Sequence, residues 1–381
     1  AFMDNNIPQD KFNMPKRVTS NENYITELKK LLNLYQEKMS GIGFKYENNL
    51  LEDVQKNCVR ILAALSEYLS GDISTAQNTI QSIIKDYIDD PFWVSELDRS
   101  YAFRGVAPFS DLHSPGYQET YSEMLAHPID LYRARSSNVK INSRIEMLHI
   151  PFSLINRVTE QRFSLERRPC LYLGTTSYDC WKECREPDLD NFYISGFRPN
   201  ESGKKLKIFN LTASASLANG IWNKMNERDE NVIEHRLQNS MLKLLPLVFA
   251  TSFIVTEKAD KRDKIEYAIP HLVMQSLSDL RIDGVAYMSK QGSDDFQYPH
   301  GVNLAIPVYD IDSQKNYGDV CNKFIITEPM SYNTLLKLPK HPESCYLSKT
   351  FADYLGTEDY HNDHSDFETV DNNIAVQEYD L

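Results

Sequence analysis

The sequence predicts an α+β protein in which a helical bundle precedes a larger mixed domain. Three observations carry this. Apolar residues recur at intervals of three and four from about Asn23 to Asp89. Beyond residue 125, short apolar runs suited to strands alternate with helical stretches, without the spacing of βαβ units. And 381 residues are too many for one typical domain and about right for two.

The first stretch sets Ile25, Leu28, Leu31, Leu32 and Leu34 on one helix, Val54, Cys58, Ile61, Leu62, Leu65, Tyr68 and Leu69 on a second, and Ile80, Ile83 and Ile84 on a third. Gly41 and Gly43 break the first helix, Gly71 ends the second, and Ser74 or Thr75 can cap the third. A bundle of this kind holds no chemistry of its own and can serve partner binding, self-inhibition or oligomerisation. Residues 90–125 are rich in Pro, Gly, Ser and aromatics and read as an ordered connection with little regular structure, with the domain boundary near its end. Strands are expected at Pro169 to Leu173, Leu206 to Leu211, Gly284 to Met288 and Val302 to Val308, and helices at Tyr178 to Cys184, Val232 to Ala250 and His271 to Leu280. After Thr350 the chain is acidic and lacks Lys and Arg, which predicts a solvated, mobile tail. The expected domains are therefore 1–125, 126–350 and 351–381.

Composition narrows the function. A net charge of -13 opposes attraction to phosphate backbones, so nucleic acid is not an expected partner. No apolar run reaches the roughly 18 to 20 residues of a membrane span, and Ala1 to Lys16 holds no signal-peptide core. A cytoplasmic protein is expected. The six cysteines have no CxxC spacing and read as reduced thiols. Cys180 and Cys184 with His361 and His364 make a poor zinc pattern, so no metal is expected. Walker A, GxGxxG, HExxH and GxSxG motifs are all missing from the sequence, which argues against kinase, dehydrogenase, zincin and serine-hydrolase chemistry.

Between residues 128 and 310 a series of short motifs runs in order: Leu131-Tyr-Arg-Ala-Arg135, Ile150-Pro-Phe152, Gln161-Arg-Phe-Ser164, Pro169-Cys-Leu-Tyr-Leu-Gly174, Cys180-Trp-Lys-Glu183, Glu266-Tyr-Ala-Ile-Pro270, Asp283-Gly-Val-Ala-Tyr-Met-Ser289 and Val302-Asn-Leu-Ala-Ile-Pro307. In order and spacing this series resembles the RES domain family. The arginine, glutamate and serine that name the family fall on Arg133, Glu183 and Ser289. The resemblance implies an ADP-ribosyltransferase-like fold with a mainly antiparallel split sheet. It also implies NAD+ as substrate, no true cofactor, and a toxin or bacterial-defence role restrained by an antitoxin partner. The chain departs from the family at Glu160-Gln-Arg-Phe-Ser164, where many compact members carry a glycine-rich stretch. Compact members also lack the helical front and the acidic tail, so the N-terminal domain can itself be the restraint.

The residue types suit the chemistry. Breaking an N-glycosidic bond through an oxocarbenium-like ribose calls for a fixed carboxylate, and Glu183 is the candidate. Arg133 suits the dinucleotide pyrophosphate or ribose, with Arg135 as its near competitor; Arg162 is a second anion-binding candidate or one half of a local salt bridge. Tyr172 alternates with Leu171 and Leu173, so its ring could stack on nicotinamide while they face the core, or could itself be core. Ser289 ends a strand and could bond the carboxamide or ribose; no His-Asp pattern marks it as a nucleophile. His149 reads as a hydrogen-bonded structural histidine. Three functions remain open: destruction of free NAD+ by transfer of ADP-ribose to water or phosphate, ADP-ribosylation of a protein or other macromolecule, and a silent binding module on the same scaffold. Whether the chain forms a homo-oligomer is open as well.

Overall fold

In a computed structural model, the structure describes residues 12–41, 49–112, 118–213, 232–257, 264–291, 298–341, 344–347 and 364–380. In chain order the elements begin with β1 (Lys16–Val18), α1 (Asn21–Gly41), α2 (Leu50–Leu69), α3 (Ile73–Asp86), β2 (Val94–Glu96), α4 (Tyr101–Arg104) and α5 (Gln118–Ala126). There follow β3 (Leu131–Ser136), β4 (Cys170–Gly174), α6 (Ser177–Glu183), β5 (Phe192–Pro199), β6 (Lys207–Leu211), α7 (Val232–Ala250), β7 (Phe253–Val255) and α8 (Ala268–Asp279). The chain closes with β8 (Gly284–Met288), β9 (Val302–Pro307), β10 (Phe324–Thr327), β11 (Met330–Ser331), α9 (Tyr332–Leu336), α10 (Ser365–Ala375) and β12 (Tyr379–Asp380). The fold is α+β. Two compact units comprise residues 1–93 with 211–280, and residues 94–210 with 281–381.

The first unit holds the three helices that the periodicity predicts. Buried Val54, Cys58, Ile61 and Leu65 of α2 line one stripe, as do Ala76, Ile80, Ile83 and Ile84 of α3. Asp72, rather than Ser74 or Thr75, caps α3, its carboxylate accepting the Thr75 N–H at 3.1 Å. The division of the chain differs from a single cut near residue 125, because α7 and α8 belong with the N-terminal helices. The reason is burial: the C-terminal half of α7 is apolar nearly all round, with Leu244, Leu245, Leu247, Val248 and Phe249 all in the core. Its backbone carbonyls at Leu242 and Ser240 accept from Tyr35 Oη (2.9 Å) and Trp93 Nε1 (3.1 Å). A short parallel pairing of β1 with β7 adds to the same unit.

The second unit is built on a ten-stranded sheet with path β12-β10-β5-β3-β4-β9-β8-β6-β2, and β11 pairs off that path with β5. The pairs β10–β12, β10–β5, β3–β5, β3–β4, β4–β9, β8–β9 and β2–β6 are all antiparallel. One face carries the core: Leu171, Leu173, Ala286, Met288, Val302, Leu304 and Ile306 pack with Phe197 and Ile208. Strand alternation turns Tyr172, Tyr287 and Asn303 to the opposite face. The middle of the sheet is its weak joint. β3 meets β5 along its whole length, Leu131 to Ser136, and β4 meets β9 from Cys170 to Gly174, but β3 and β4 join only at Tyr132 and Gly174.

Two expectations need correcting. The 90–125 connection contributes an edge strand, β2, and two helices, since Val94, Ser95 and Glu96 pair with β6. The acidic tail is not a solvated, mobile segment where the structure describes it. Phe367, Val370 and Ile374 form an apolar stripe at helical spacing that packs with Phe192, Ile194, Tyr332 and Leu335. Gly196 makes room for it: a Cβ there would stand 2.3 Å from Tyr379 Oη and 2.7 Å from Ile374 Cγ2. Residues 351–363 lie outside the described residues. Among those described, no helix is long and apolar enough to cross a membrane.

Candidate active site

Where β3 and β4 part, the Arg133 side chain reaches across the joint and Nη1 donates to the Tyr172 carbonyl at 2.8 Å. Its Nε is buried without a hydrogen-bond partner, and among the described residues no carboxylate pairs with it. Burial and then the nearby Arg135 push its pKa down to about 10. Arg135, two residues on, donates to the Leu148 carbonyl at 2.8 Å. Burial lowers its pKa too, while Tyr317 and Glu146 act the other way.

The helix α6 lies beside this joint. Its Cys180 thiol donates to the Tyr132 carbonyl (3.3 Å) and its Cys184 thiol to that of Ala134 (3.9 Å), the two carbonyls flanking Arg133. The spacing of four between these cysteines therefore serves packing on β3. His364 stacks on Tyr178 at 3.9 Å, and His361 lies outside the described residues. At the start of α6, Thr176 Oγ1 accepts the Asp179 N–H (3.1 Å) and donates to the His300 carbonyl (2.7 Å), while Asp371 accepts the Ser177 N–H (3.0 Å). At its end, Arg185 and Glu186 adopt positive φ of 65° and 54°, so the chain turns away directly after Glu183.

Glu183 is exposed, yet one of its oxygens is fixed. Oε1 accepts the Ser289 hydroxyl at 2.7 Å and the Asn303 Nδ2 at 2.9 Å. A carboxylate only accepts, so the Asn303 amide must present nitrogen to it. No donor among the described residues reaches Oε2. The helix can approach because Gly174 has no side chain: a Cβ there would stand 3.0 Å from Cys180 Sγ and 3.2 Å from Asp179 Oδ2.

Aromatic rings border the same face. Tyr172 Oη donates to the Phe163 carbonyl at 2.9 Å, and burial first of all holds its pKa well above the usual tyrosine range. Phe163 in turn stacks on Tyr287, centroids 4.2 Å apart at 30°. Burial and the Glu183 charge push the Tyr287 phenol up, with Arg162 pulling the other way, which sets Tyr287 within electrostatic reach of both. His149 is fully buried, with Nδ1 on the Ile150 carbonyl (2.7 Å) and Nε2 accepting the Gly318 N–H (2.9 Å). Both ring nitrogens are spent on the fold.

The structure thus brings Glu183 and Ser289 into contact, joins Arg133 to the Tyr172 carbonyl, and leaves Arg162 within electrostatic reach of Tyr287, while Arg135 is directed to Leu148. Sequence reasoning passed over three residues. Asn303 was signalled by an amide inside an otherwise apolar strand, Tyr287 by its spacing of two from Ser289, and Asp179 by its spacing of four from Glu183.

No protein-family model matches the chain. It is similar to the candidate toxin YopC of Bacillus subtilis (strain 168), 26% identical over 242 residues, which are 61% of this chain and 54% of that protein. The chain thus spans about half the length of this relative. The solved structure of the M. tuberculosis MbcT-MbcA toxin-antitoxin complex aligns over 57% of this chain and 92% of that one, with 11% identity and a TM-score of 0.26. That score is too low to bear on the fold.

Proposed function

We propose that this chain is a toxin-type enzyme of the RES kind that breaks the nicotinamide–ribose bond of NAD+ and passes ADP-ribose to water or phosphate. One observation carries the reading: a carboxylate with one oxygen anchored by Ser289 and Asn303 and the other open. Cleavage sends the bonding electrons to the nicotinamide nitrogen, which leaves neutral, and positive charge builds on the ribose. Glu183 stabilises that charge while Oε2 holds a ribose hydroxyl, and because Oε1 is already fixed, the carboxylate does not have to reorganise. The acceptor oxygen then bonds to C1″ of the nicotinamide-bearing ribose, and when water is the acceptor one proton is released. Arg133, a half-buried cation with no counter-ion among the described residues, supplies a site for pyrophosphate. Tyr172 and Tyr287 offer ring faces to the nicotinamide. The similarity to a candidate toxin supports a toxin role, and an enzyme that drains NAD+ needs restraint in the cytoplasm that makes it; an inhibitory protein is the partner we propose.

The test is NAD+ turnover by the purified chain, with products separated by chromatography in the presence and absence of phosphate. Free nicotinamide with ADP-ribose or its 1″-phosphate is expected. Glu183→Gln keeps shape but loses charge, and should lower kcat by about 10²- to 10³-fold or more with unchanged Tm. Full activity in that variant would remove Glu183 from the mechanism. Label from adenylate-labelled NAD+ on macromolecules would redirect the reading to ADP-ribosylation, and no product of either kind to a binding module.

A further inference from the structure

One turn before Glu183, α6 carries a second carboxyl in opposite surroundings. Asp179 is 3% exposed. Its Oδ2 is buried and has no hydrogen-bond partner. That oxygen is turned toward the strands that anchor Glu183: a point 3.2 Å from it, over Gly174, is also 3.5 Å from Asn303 Oδ1. A buried carboxylate needs donors or a cation on its oxygens, and an unpaired one is costly. A neutral carboxylic acid in the same place costs much less than the charged form. Burial first, and then the Glu183 charge, hold the Asp179 pKa well above the usual carboxylate range, with the Ser289 hydroxyl opposing.

We propose that Asp179 serves the site as a neutral carboxylic acid, the protonated member of a carboxyl pair with Glu183, so that two carboxyls present one negative charge and not two. The catalytic consequence rests on the NAD+-cleaving reading; the charge state does not. Asp179 is a positioning residue that acts through Glu183. Once ionised, it would repel Glu183 and compete for the Ser289 hydroxyl, the donor that fixes Glu183 Oε1. The titratable groups within its electrostatic reach are Glu183, Cys180, Cys184 and Tyr178 on its own helix and Tyr287 on β8, and the Ser289 hydroxyl lies just beyond that strand.

The experiment compares Tm and NAD+ turnover from about pH 5 to about pH 9 for the full chain, Asp179→Asn, Glu183→Gln and the double variant. The folded chain holds a proton on Asp179 that the unfolded chain has lost above its ordinary pKa. Wild type therefore loses stability as pH rises toward the folded pKa, and Asp179→Asn does not. The gap between their Tm values should widen with pH and narrow toward acid pH, closing only below the ordinary aspartate pKa of about 3.9. Other buried carboxyls such as Asp371 cancel in that difference. With Glu183→Gln the neighbouring charge is gone, so the gap should shrink. In turnover, Asp179→Asn should lack the fall toward alkaline pH expected of wild type. A gap that is flat with pH, or unchanged in the Glu183→Gln background, overturns the proposal, and so does an Asp179→Asn enzyme as inactive as Glu183→Gln. If Asp179→Asn does not fold, Asp179→Ser, which also cannot titrate, replaces it. Should wild type release no nicotinamide, the functional reading fails while the Tm comparison still decides the charge.

Discussion

Two arginines on neighbouring strands carry the same side chain into opposite circumstances. On β5, Arg198 pairs through Nε with Asp130 at 2.7 Å, donates through Nη2 to the Ala375 carbonyl at 2.6 Å, and lies over the Tyr379 ring at 4.0 Å. Burial works against its charge, Asp130 with Tyr379 and Tyr132 more than offsets it, and its pKa goes up. On β3, Arg133 meets one carbonyl, leaves a buried Nε without a partner, and its pKa goes down. The first arginine is satisfied by its own chain. The second keeps one carbonyl partner and no paired carboxylate among the described residues, which suits the anion-binding role proposed for it.

The comparison can be broken by removing each partner. Asp130→Ala strands the Arg198 charge and should cost roughly 3 kcal/mol of stability, read as a fall in Tm. Arg133→Ala removes a charge that no carboxylate among the described residues pairs with, so Tm should hold or rise, while the Kd for NAD+ weakens about 10- to 100-fold through the lost charge-assisted bonds. Equal losses of Tm in the two variants would make Arg133 a structural residue and end the contrast. Gly196→Ala probes the Arg198 side alone. The added methyl meets Tyr379 and Ile374, so about 1–3 kcal/mol should be lost and residues 364–380 should become open to protease; unchanged protection would mean that this segment is not docked.

Much of this architecture could be read from the residues. The spacing of α1 to α3 and the apolar runs of β4, β8 and β9 depend on neighbours in sequence, and those elements stand near where periodicity places them. What could not be read depends on partners far along the chain. Residues 211–280 join the first unit because α7 completes a core begun some 200 positions earlier, as Tyr35 on Leu242 shows. The tail misleads because its acidic residues outnumber the stripe of Phe367, Val370 and Ile374 that docks it. At the candidate site, Glu183, Ser289 and Arg133 come from the ordered motifs that resemble the RES family, and residue type adds a chemical reason for each. Asn303 and Asp179 gain meaning only from what they face, and no local pattern states that.

The smallest effect tests the anchoring of Glu183. Asn303 and Ser289 share Oε1, so Asn303→Ala leaves one donor and should lower kcat about tenfold, the worth of one hydrogen bond to a charged group, with little change in KM. Asn303→Asp is the sharper variant. It keeps the size of the side chain but replaces a donor with an acceptor that carries like charge, so Glu183 loses a bond and gains a repulsion. Turnover should then fall below that of the alanine variant and recover as pH is lowered and the new carboxyl takes up a proton. If aspartate and alanine behave alike at every pH, the amide does not hold Glu183 through a donated hydrogen bond, and the contrast between a satisfied and an unsatisfied charge would have to rest on the arginines alone.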